Sequence, residues 1–368
     1  MWKLFKLIRE KLKRGNLLSN ITDLAQRLKA DWPNLRRASQ NAEATLATFT
    51  AAVKDVTASD ASIVVFGSLA RFELTPGSDI DWTLLLDGPS DPRHHHVSRR
   101  IASAVKDLTP KNVGQEGTFG SLVSSHDLVN YIGGEGDTNS NTTRRNLLLL
   151  ESRSIGNDEA YNRVKRNLLQ RYLSEDSGLW REEVKNKLPH FLLNDISRYW
   201  RTMTVDYAYK ERTRGGSGIP LRNIKLGLSR KLIFVTGLLA CYTCHLDFED
   251  NAAREKFYSQ QNTAGLVARL HETLKMSPLE LVASVLGRFD EHTKATRTLF
   301  DTYDRFIGML LDDDMRKHLE GLHSDNCAED KTYQAARSLR REFQHALSDI
   351  FLEKTSLLGQ FTIRYGVF

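Results

Sequence analysis

Two short apolar runs, separated by a polar segment, stand out near the start of the chain. The first covers Ile63 to Phe66 and the second covers Trp82 to Leu86. Both have the length of a β-strand and are bounded by glycine, serine or aspartate, which is the pattern of buried strands. We therefore predict two strands joined by a loop around residues 76–78.

Most of the remaining chain shows helical spacing of apolar residues. Helices are predicted over residues 19–32 and 34–56, and the sequence after residue 157 is almost entirely helical in pattern. The segment from Phe191 to Glu211 carries enough aromatic and aliphatic residues for us to predict that it is mostly buried. The pattern thus predicts a small strand-containing unit with a long helical region after it.

Two aspartates come directly before the second apolar run. If the strand begins at Asp79, alternation places Asp79 and Asp81 on one face, about 7 Å apart along the chain, while Ile80 points to the core. Mg²⁺ prefers hard oxygen ligands and usually takes only one or two protein carboxylates. Directly after the first strand, Gly67 allows close approach of a phosphate, and the hydroxyl and backbone amide of Ser68 can donate hydrogen bonds to it. These residues predict a site for a divalent metal and a phosphorylated ligand.

The same residues resemble a known family. The spacing Gly67-Ser68, ten residues, then Asp79-x-Asp81 is similar to the signature of the nucleotidyltransferase superfamily that includes DNA polymerase β. The longer string GSLARFELTPGSDID is most similar to nucleotidyltransferases related to the bacterial signal-protein uridylyltransferases. This resemblance covers residues 45–170. It implies an α+β fold, in which a small mixed β-sheet with flanking helices is followed by a mostly α-helical bundle.

On this basis we expect N-terminal helices over residues 1–45, a nucleotidyltransferase domain over 46–156 and a helical domain over 157–368. The resemblance implies transfer of a nucleoside monophosphate from a nucleoside triphosphate such as ATP to an acceptor hydroxyl, with release of pyrophosphate. It also implies Mg²⁺ or Mn²⁺ as the cofactor, held by Asp79 and Asp81.

Three further site residues are expected from the helical region and from a third strand. Helical domains of this superfamily commonly supply lysine or serine to the triphosphate, and Lys225 and Ser229 lie at helical spacing on a basic face before an apolar run. The superfamily often carries a third carboxylate on the next strand, which we predict near Asn112 to Phe119. Glu116 is the acidic residue in that window, so it is the candidate.

Composition changes this picture only slightly. The formal net charge of +6 suits a polyanionic ligand, and three cysteines in 368 residues suggest a reducing compartment, so we expect a cytoplasmic protein. There is no apolar run of eighteen or more residues. The first thirteen residues predict a basic amphipathic helix. We expect this helix to pack on its own chain or on a partner, in preference to contact with an anionic membrane surface.

Three interpretations of the function stay open from the sequence. A protein acceptor for AMP or UMP is favoured by the similarity to the uridylyltransferase group, whereas RNA or a small molecule is compatible with the basic charge. The third is a catalytically weak or inactive nucleotide-binding regulator, which follows if the third carboxylate is missing. The base of the nucleotide and the oligomeric state are not determined by the sequence.

Overall fold

A small mixed β-sheet forms the first part of the fold. The structure, a computed structural model, describes residues 18–56, 59–109, 119–213 and 215–366. Within them lie the strands β1 (Ala61–Phe66), β2 (Trp82–Leu86), β3 (Ser121–Ser124) and β4 (Ser152–Ile155). Their order is β3-β2-β1-β4, in which β1 is antiparallel to both β2 and β4, and β2 is parallel to β3. The predicted α+β fold with a mixed sheet is confirmed.

Helices surround the sheet and make up almost all of the chain after it. In chain order they are α1 (Ser19–Leu28), α2 (Pro33–Ala52), α3 (Gly67–Ala70), α4 (Arg93–Leu108), α5 (Ser125–Asn130), α6 (Asn139–Leu150), α7 (Glu159–Ser174), α8 (His190–Thr213), α9 (Ile219–Lys225), α10 (Lys231–Leu246), α11 (Asn251–Ser259), α12 (Thr263–Thr273), α13 (Pro278–Leu286), α14 (Thr293–Leu311), α15 (Asp313–Gly321), α16 (Lys331–Phe351) and α17 (Leu357–Phe361). A π-helical turn, Leu226–Arg230, joins α9 to α10, and another, Thr362–Gly366, follows α17.

The sheet is covered on both faces. Every residue of β1 is buried, and its side chains alternate between two cores. Ile63 and Val65 pack in the smaller core with residues of α2 and α4, whereas Val64 and Phe66 belong to the larger core of the helical region. A strand buried on both faces needs a continuous apolar sequence, which is why this run stood out.

The N-terminal helices pack against the helical region as well as the sheet. The Glu280 carboxylate on α13 accepts hydrogen bonds from the backbone N–H groups of Asn20 and Ile21, at 3.1 and 3.0 Å. The Trp32 ring stacks on Phe300 of α14 with 4.7 Å between the ring centroids. The larger core therefore includes residues from all three of the expected domains, whose boundaries at 45/46 and 156/157 stay predictions.

Two strand boundaries differ from those expected. The strand β2 begins at Trp82 and not at Asp79, although the Phe66 N–H still donates to the carbonyl of Asp81 at 2.9 Å. Pairing stops there because the chain turns at Gly67. The third strand lies at Ser121–Ser124, after the expected window, most of which falls outside the described residues.

The expected burial of residues 191–211 is correct only for the first half of that segment. Between Leu192 and Met203 the helix α8 packs against α6 and α10, and its inward residues are buried. Farther along, Val205 is 70% exposed and Tyr209 is 57% exposed. Aromatic density alone did not show that the end of α8 borders a cleft.

Among the described residues, no helix has the length and apolar character required to cross a membrane. The N-terminal basic segment lies outside the described residues.

Candidate active site

Gly67 is the point where β1 ends and the site begins. Its φ of +67° lies in the left-handed region, which favours glycine. A Cβ at this position would lie only 3.2 Å from Asp81 Oδ2. Glycine therefore serves both the turn from β1 into α3 and the close approach of the aspartate. Ser68 follows in the first turn of α3, and both residues are partly exposed.

Asp79 and Asp81 both line one large cleft, while Ile80 between them is buried in the smaller core. Burial and the like charge of Asp79 raise the pKa of Asp81 to about 7. Two carboxylates that repel each other and face an open cleft form the oxygen donor set that Mg²⁺ accepts, with water or phosphate completing its coordination. The residues present thus fit a divalent cation. Among the described residues, no group of three or more potential ligands is assembled.

A buried ionic cluster lies behind the aspartates. Arg71 Nε is 2.8 Å from Glu73 Oε2, and its guanidinium also donates to the Glu151 carboxylate. The hydroxyl of Tyr303 donates to Glu73 at 2.9 Å. Burial raises the pKa of Glu73. The cluster joins the loop after α3 to the residue before β4 and to α14. It thereby holds the start of the loop that leads to the two aspartates.

The cleft lies between the sheet and the helical region and has a volume of about 1540 Å³. Asp79 and Asp81 line it together with Lys225 and Arg230 of the helical region. Burial, together with the positive charge of Arg316, lowers the pKa of Lys225 to about 7, although the nearby Asp79 opposes this shift. The fold therefore brings Lys225 to the aspartates across more than 140 residues of sequence.

Not every predicted residue lines this cleft. Ser229 is buried in the π-helical turn, and its hydroxyl donates to the carbonyl of Lys225 at 3.2 Å. Gly67 and Ser68 are not among the described residues that line the cleft, although a Cβ added at Gly67 would lie 3.2 Å from Asp81 Oδ2. Glu116 lies outside the described residues. The described strand β3 consists of Ser121–Ser124 and carries no carboxylate.

The local geometry combines the glycine turn, the paired aspartates and a cleft with cationic residues. Residues 48–113 match the family model of the nucleotidyltransferase domain. The match contains Gly67, Ser68, Asp79 and Asp81, and it supports the nucleotidyltransferase superfamily for this part of the chain. Transfer of a nucleoside monophosphate is the general activity that this domain supports. No curated protein and no solved structure matches the chain.

The helical region also holds the loop that carries Asp79, within the residues that match the nucleotidyltransferase model. Arg316 of α15 is 4% exposed, and its guanidinium donates to Thr75 Oγ1 at 2.6 Å and to the carbonyl of Gly77. Its Nε pairs with Glu320 at 3.0 Å. Because this loop ends at Asp79, Arg316 links the position of α15 to the position of a candidate metal ligand.

Sequence reasoning missed both Arg316 and the placement of Glu151. Arg316 is more than 230 residues from the loop that it contacts, and no local pattern marks it. Glu151 stands between the buried apolar end of α6 and β4, and an acidic residue at such a position was the available signal. Its charge also contributes to the raised pKa of Asp81.

Proposed function

We propose that this protein is a metal-dependent nucleotidyltransferase that transfers a nucleoside monophosphate from a nucleoside triphosphate to an acceptor hydroxyl and releases pyrophosphate. The observation that carries the proposal is the pair Asp79 and Asp81, set beside Gly67 at a cleft that Lys225 also lines. The match of residues 48–113 to the nucleotidyltransferase domain supports it.

The residues take the following roles in this proposal. Asp79 and Asp81 hold Mg²⁺ or Mn²⁺, which when bound neutralises phosphate charge and polarises the α-phosphate. Gly67 and Ser68 hold the terminal phosphates, through the backbone of the turn after β1 and the Ser68 hydroxyl. Lys225 donates to the triphosphate from the helical side. Ser229 supports it through the hydrogen bond to the Lys225 carbonyl.

The protein's contribution is then mainly positioning and charge stabilisation. Arg71 and its two carboxylate partners keep the backbone around the aspartates in place. Lys225 and Arg230 line the same cleft as the two aspartates, and cationic side chains there favour a triphosphate and the charge that develops on pyrophosphate as it leaves.

A nucleotide-binding regulator is the second candidate. Strand β3, as described, offers no third carboxylate to take the proton of an attacking hydroxyl. If Glu116 does not supply this group, nucleotide and metal would bind without efficient transfer. The resemblance to the uridylyltransferase group favours a protein acceptor, and RNA or a small molecule remains the alternative.

The test is incubation of the purified protein with each α-³²P-labelled nucleoside triphosphate, Mg²⁺ or Mn²⁺, and cell lysate. We expect metal-dependent labelling of an acceptor, and its loss in Asp79→Asn/Asp81→Asn. Asp107→Asn is a matched control, because Asp107 is exposed on α4 and does not line the cleft.

Equal labelling by the double variant and the wild type would show that the metal assignment is wrong. Metal-dependent nucleotide binding without labelled product would favour the regulator instead.

A further inference from the structure

The cleft is larger than one nucleotide requires. Small-molecule sites usually have volumes of about 300–1,000 Å³, whereas this cleft has about 1540 Å³. Much of its lining comes from α8, between Asn194 and Thr213. Since the proposed reaction needs a second substrate, this space is where an acceptor has room to bind.

One face of α8 borders this space with a basic and apolar strip. Arg201, Val205 and Tyr209 recur at four-residue spacing, so they lie on one face over about 12 Å, and all three line the cleft and are exposed. We name these three residues the α8 strip. Val205 and Tyr209 are the most exposed large apolar side chains in the described part of the chain.

The charge of the cleft indicates a polyanion. Seven basic residues line it: Arg198, Arg201, Lys210, Arg222, Lys225, Arg230 and Arg316. The acidic lining residues are Asp79, Asp81, Asp206 and Glu320. Asp206 pairs with Lys210, Glu320 pairs with Arg316, and the other two are the proposed metal ligands. Arg198 pairs with Asp137; with Asp137 included, seven basic side chains stand against five acidic ones. Arg201 of the α8 strip is one of the basic residues.

Unpaired bases stack on aromatic rings, and their phosphates bind to neighbouring cationic side chains. Tyr209 presents an exposed ring, and the Arg212 guanidinium lies 5.6 Å from its centroid. Tyr207 and Phe119 line the same cleft. Proteins that bind single strands combine a positive groove with aromatic side chains on which successive bases stack. A polynucleotide carries one anionic phosphate per nucleotide, which suits a groove with several cationic side chains.

We infer that the cleft binds a single-stranded polynucleotide along the α8 strip, and that the terminal hydroxyl of this strand is the acceptor. The acceptor role rests on the proposed function. The hydroxyl oxygen forms a bond to the α-phosphorus, and the bond from the α-phosphorus to the bridging oxygen of the β-phosphate breaks. Pyrophosphate leaves with the electron pair, the proton passes to water, and the strand is one nucleotide longer.

Binding is tested separately from transfer, with a fluorescein-labelled single-stranded oligoribonucleotide of about twelve residues. In the Asp79→Asn/Asp81→Asn background, fluorescence anisotropy should show binding that weakens with salt. Tyr209→Ala should weaken binding about tenfold through lost stacking, and Tyr209→Phe should retain it. Arg201→Ala should reduce the slope of log K against log salt by about 0.7, the value for one phosphate contact on a single strand.

Arg337→Ala is the control, because Arg337 is exposed on α16 outside the cleft. It should leave both affinity and slope unchanged. If the oligonucleotide does not bind, the inference is wrong. It is also wrong if Arg337→Ala weakens binding as strongly as Arg201→Ala does.

Transfer is tested by incubating the wild-type protein with the oligonucleotide, lysate proteins, the labelled triphosphates and Mg²⁺ or Mn²⁺. Label on the oligonucleotide, reduced by Tyr209→Ala, is the expected result. Label on a protein alone would overturn the inference and leave the proposed function intact. Oligonucleotide binding without any labelled product would overturn the proposed function and the acceptor role together.

Discussion

At the scale of single residues, the carboxylates of Asp79 and Asp81 repel each other. The pKa of Asp81 is raised to about 7 by burial first and by the charge of Asp79 second, and Glu151 adds to the shift. Carboxylates held together in this way destabilise a fold unless a cation is present. Functional sites often carry such a cost in stability.

Replacing Asp79 by asparagine should therefore stabilise the metal-free protein. Because the folded-state pKa of Asp81 exceeds its ordinary value of 3.8, the folded state binds more protons in this interval, and stability falls as pH rises from about 4 to 7. At pH 8 we expect Asp79→Asn to raise the melting temperature by roughly 2 °C. The difference should shrink below pH 6, where Asp81 of the wild type is protonated.

Divalent metal should reverse this order by stabilising the wild type through binding to the folded state. Differential scanning fluorimetry at both pH values, with and without Mg²⁺ or Mn²⁺, measures each effect, and Asp107→Asn should behave as the wild type. A metal-free Asp79→Asn protein that melts below the wild type at pH 8 would contradict the repulsion argument.

At the scale of elements, the contact between α15 and the loop before Asp79 depends on a missing side chain. A Cβ at Gly77 would clash with the Arg316 guanidinium. The Arg316 guanidinium is buried and hydrogen bonded, so it cannot move without losing its contacts to Thr75 and Gly77. Glycine is required here for close approach between two parts of the fold.

A double-mutant cycle tests this contact. Gly77→Ala should cost about 1–3 kcal/mol in the wild type through lost hydrogen bonds, and less than about 0.5 kcal/mol in Arg316→Ala, where the space is open. Urea unfolding gives the four free energies, and we expect a coupling of at least about 0.5 kcal/mol.

Gly321→Ala is the control for this cycle, because a Cβ at that end of α15 meets open space. It should show no coupling to Arg316→Ala. Additive effects of Gly77→Ala and Arg316→Ala would mean that the two positions do not share the contact.

At the scale of the whole molecule, a buried arginine connects the sheet-containing part to the helical region. Arg145 of α6 is fully buried and pairs with Asp137 and Asp195, while Tyr172 accepts from its Nε at 2.9 Å. Arg198, which lines the cleft, also pairs with Asp137 at 2.6 Å. The network thus joins α6, α7 and α8 and places the helix that carries the α8 strip.

Removing this arginine should destabilise the whole protein. Arg145→Met leaves Asp137 and Asp195 buried with less compensating charge, and we expect a loss of about 3–5 kcal/mol in the free energy of unfolding. Urea unfolding measures it. Arg36→Met is the matched control, since Arg36 pairs with Asp31 on the exposed surface and such pairs contribute about 1 kcal/mol or less. Equal losses in the two variants would contradict a structural role for the buried network.

Local sequence patterns predicted the parts of the site that lie close together in the chain. The turn at Gly67 and the pair Asp79 and Asp81 could be recognised because strand alternation and backbone conformation act over a few residues. The helical character of the region after residue 157 followed from spacing in the same way. The exact start of β2 did not follow from the sequence, because strand pairing ends where the chain turns at Gly67 after β1.

The sequence by itself determined the α+β class, the glycine turn and the paired carboxylates. The tertiary structure alone decided that Lys225 lines one cleft with these carboxylates, that Arg316 holds their loop, and that the end of α8 borders this cleft and is not buried. These features depend on packing between elements up to 240 residues apart. Burial, electrostatic repulsion and close approach are properties of the assembled neighbourhood, so no local pattern in the chain records them.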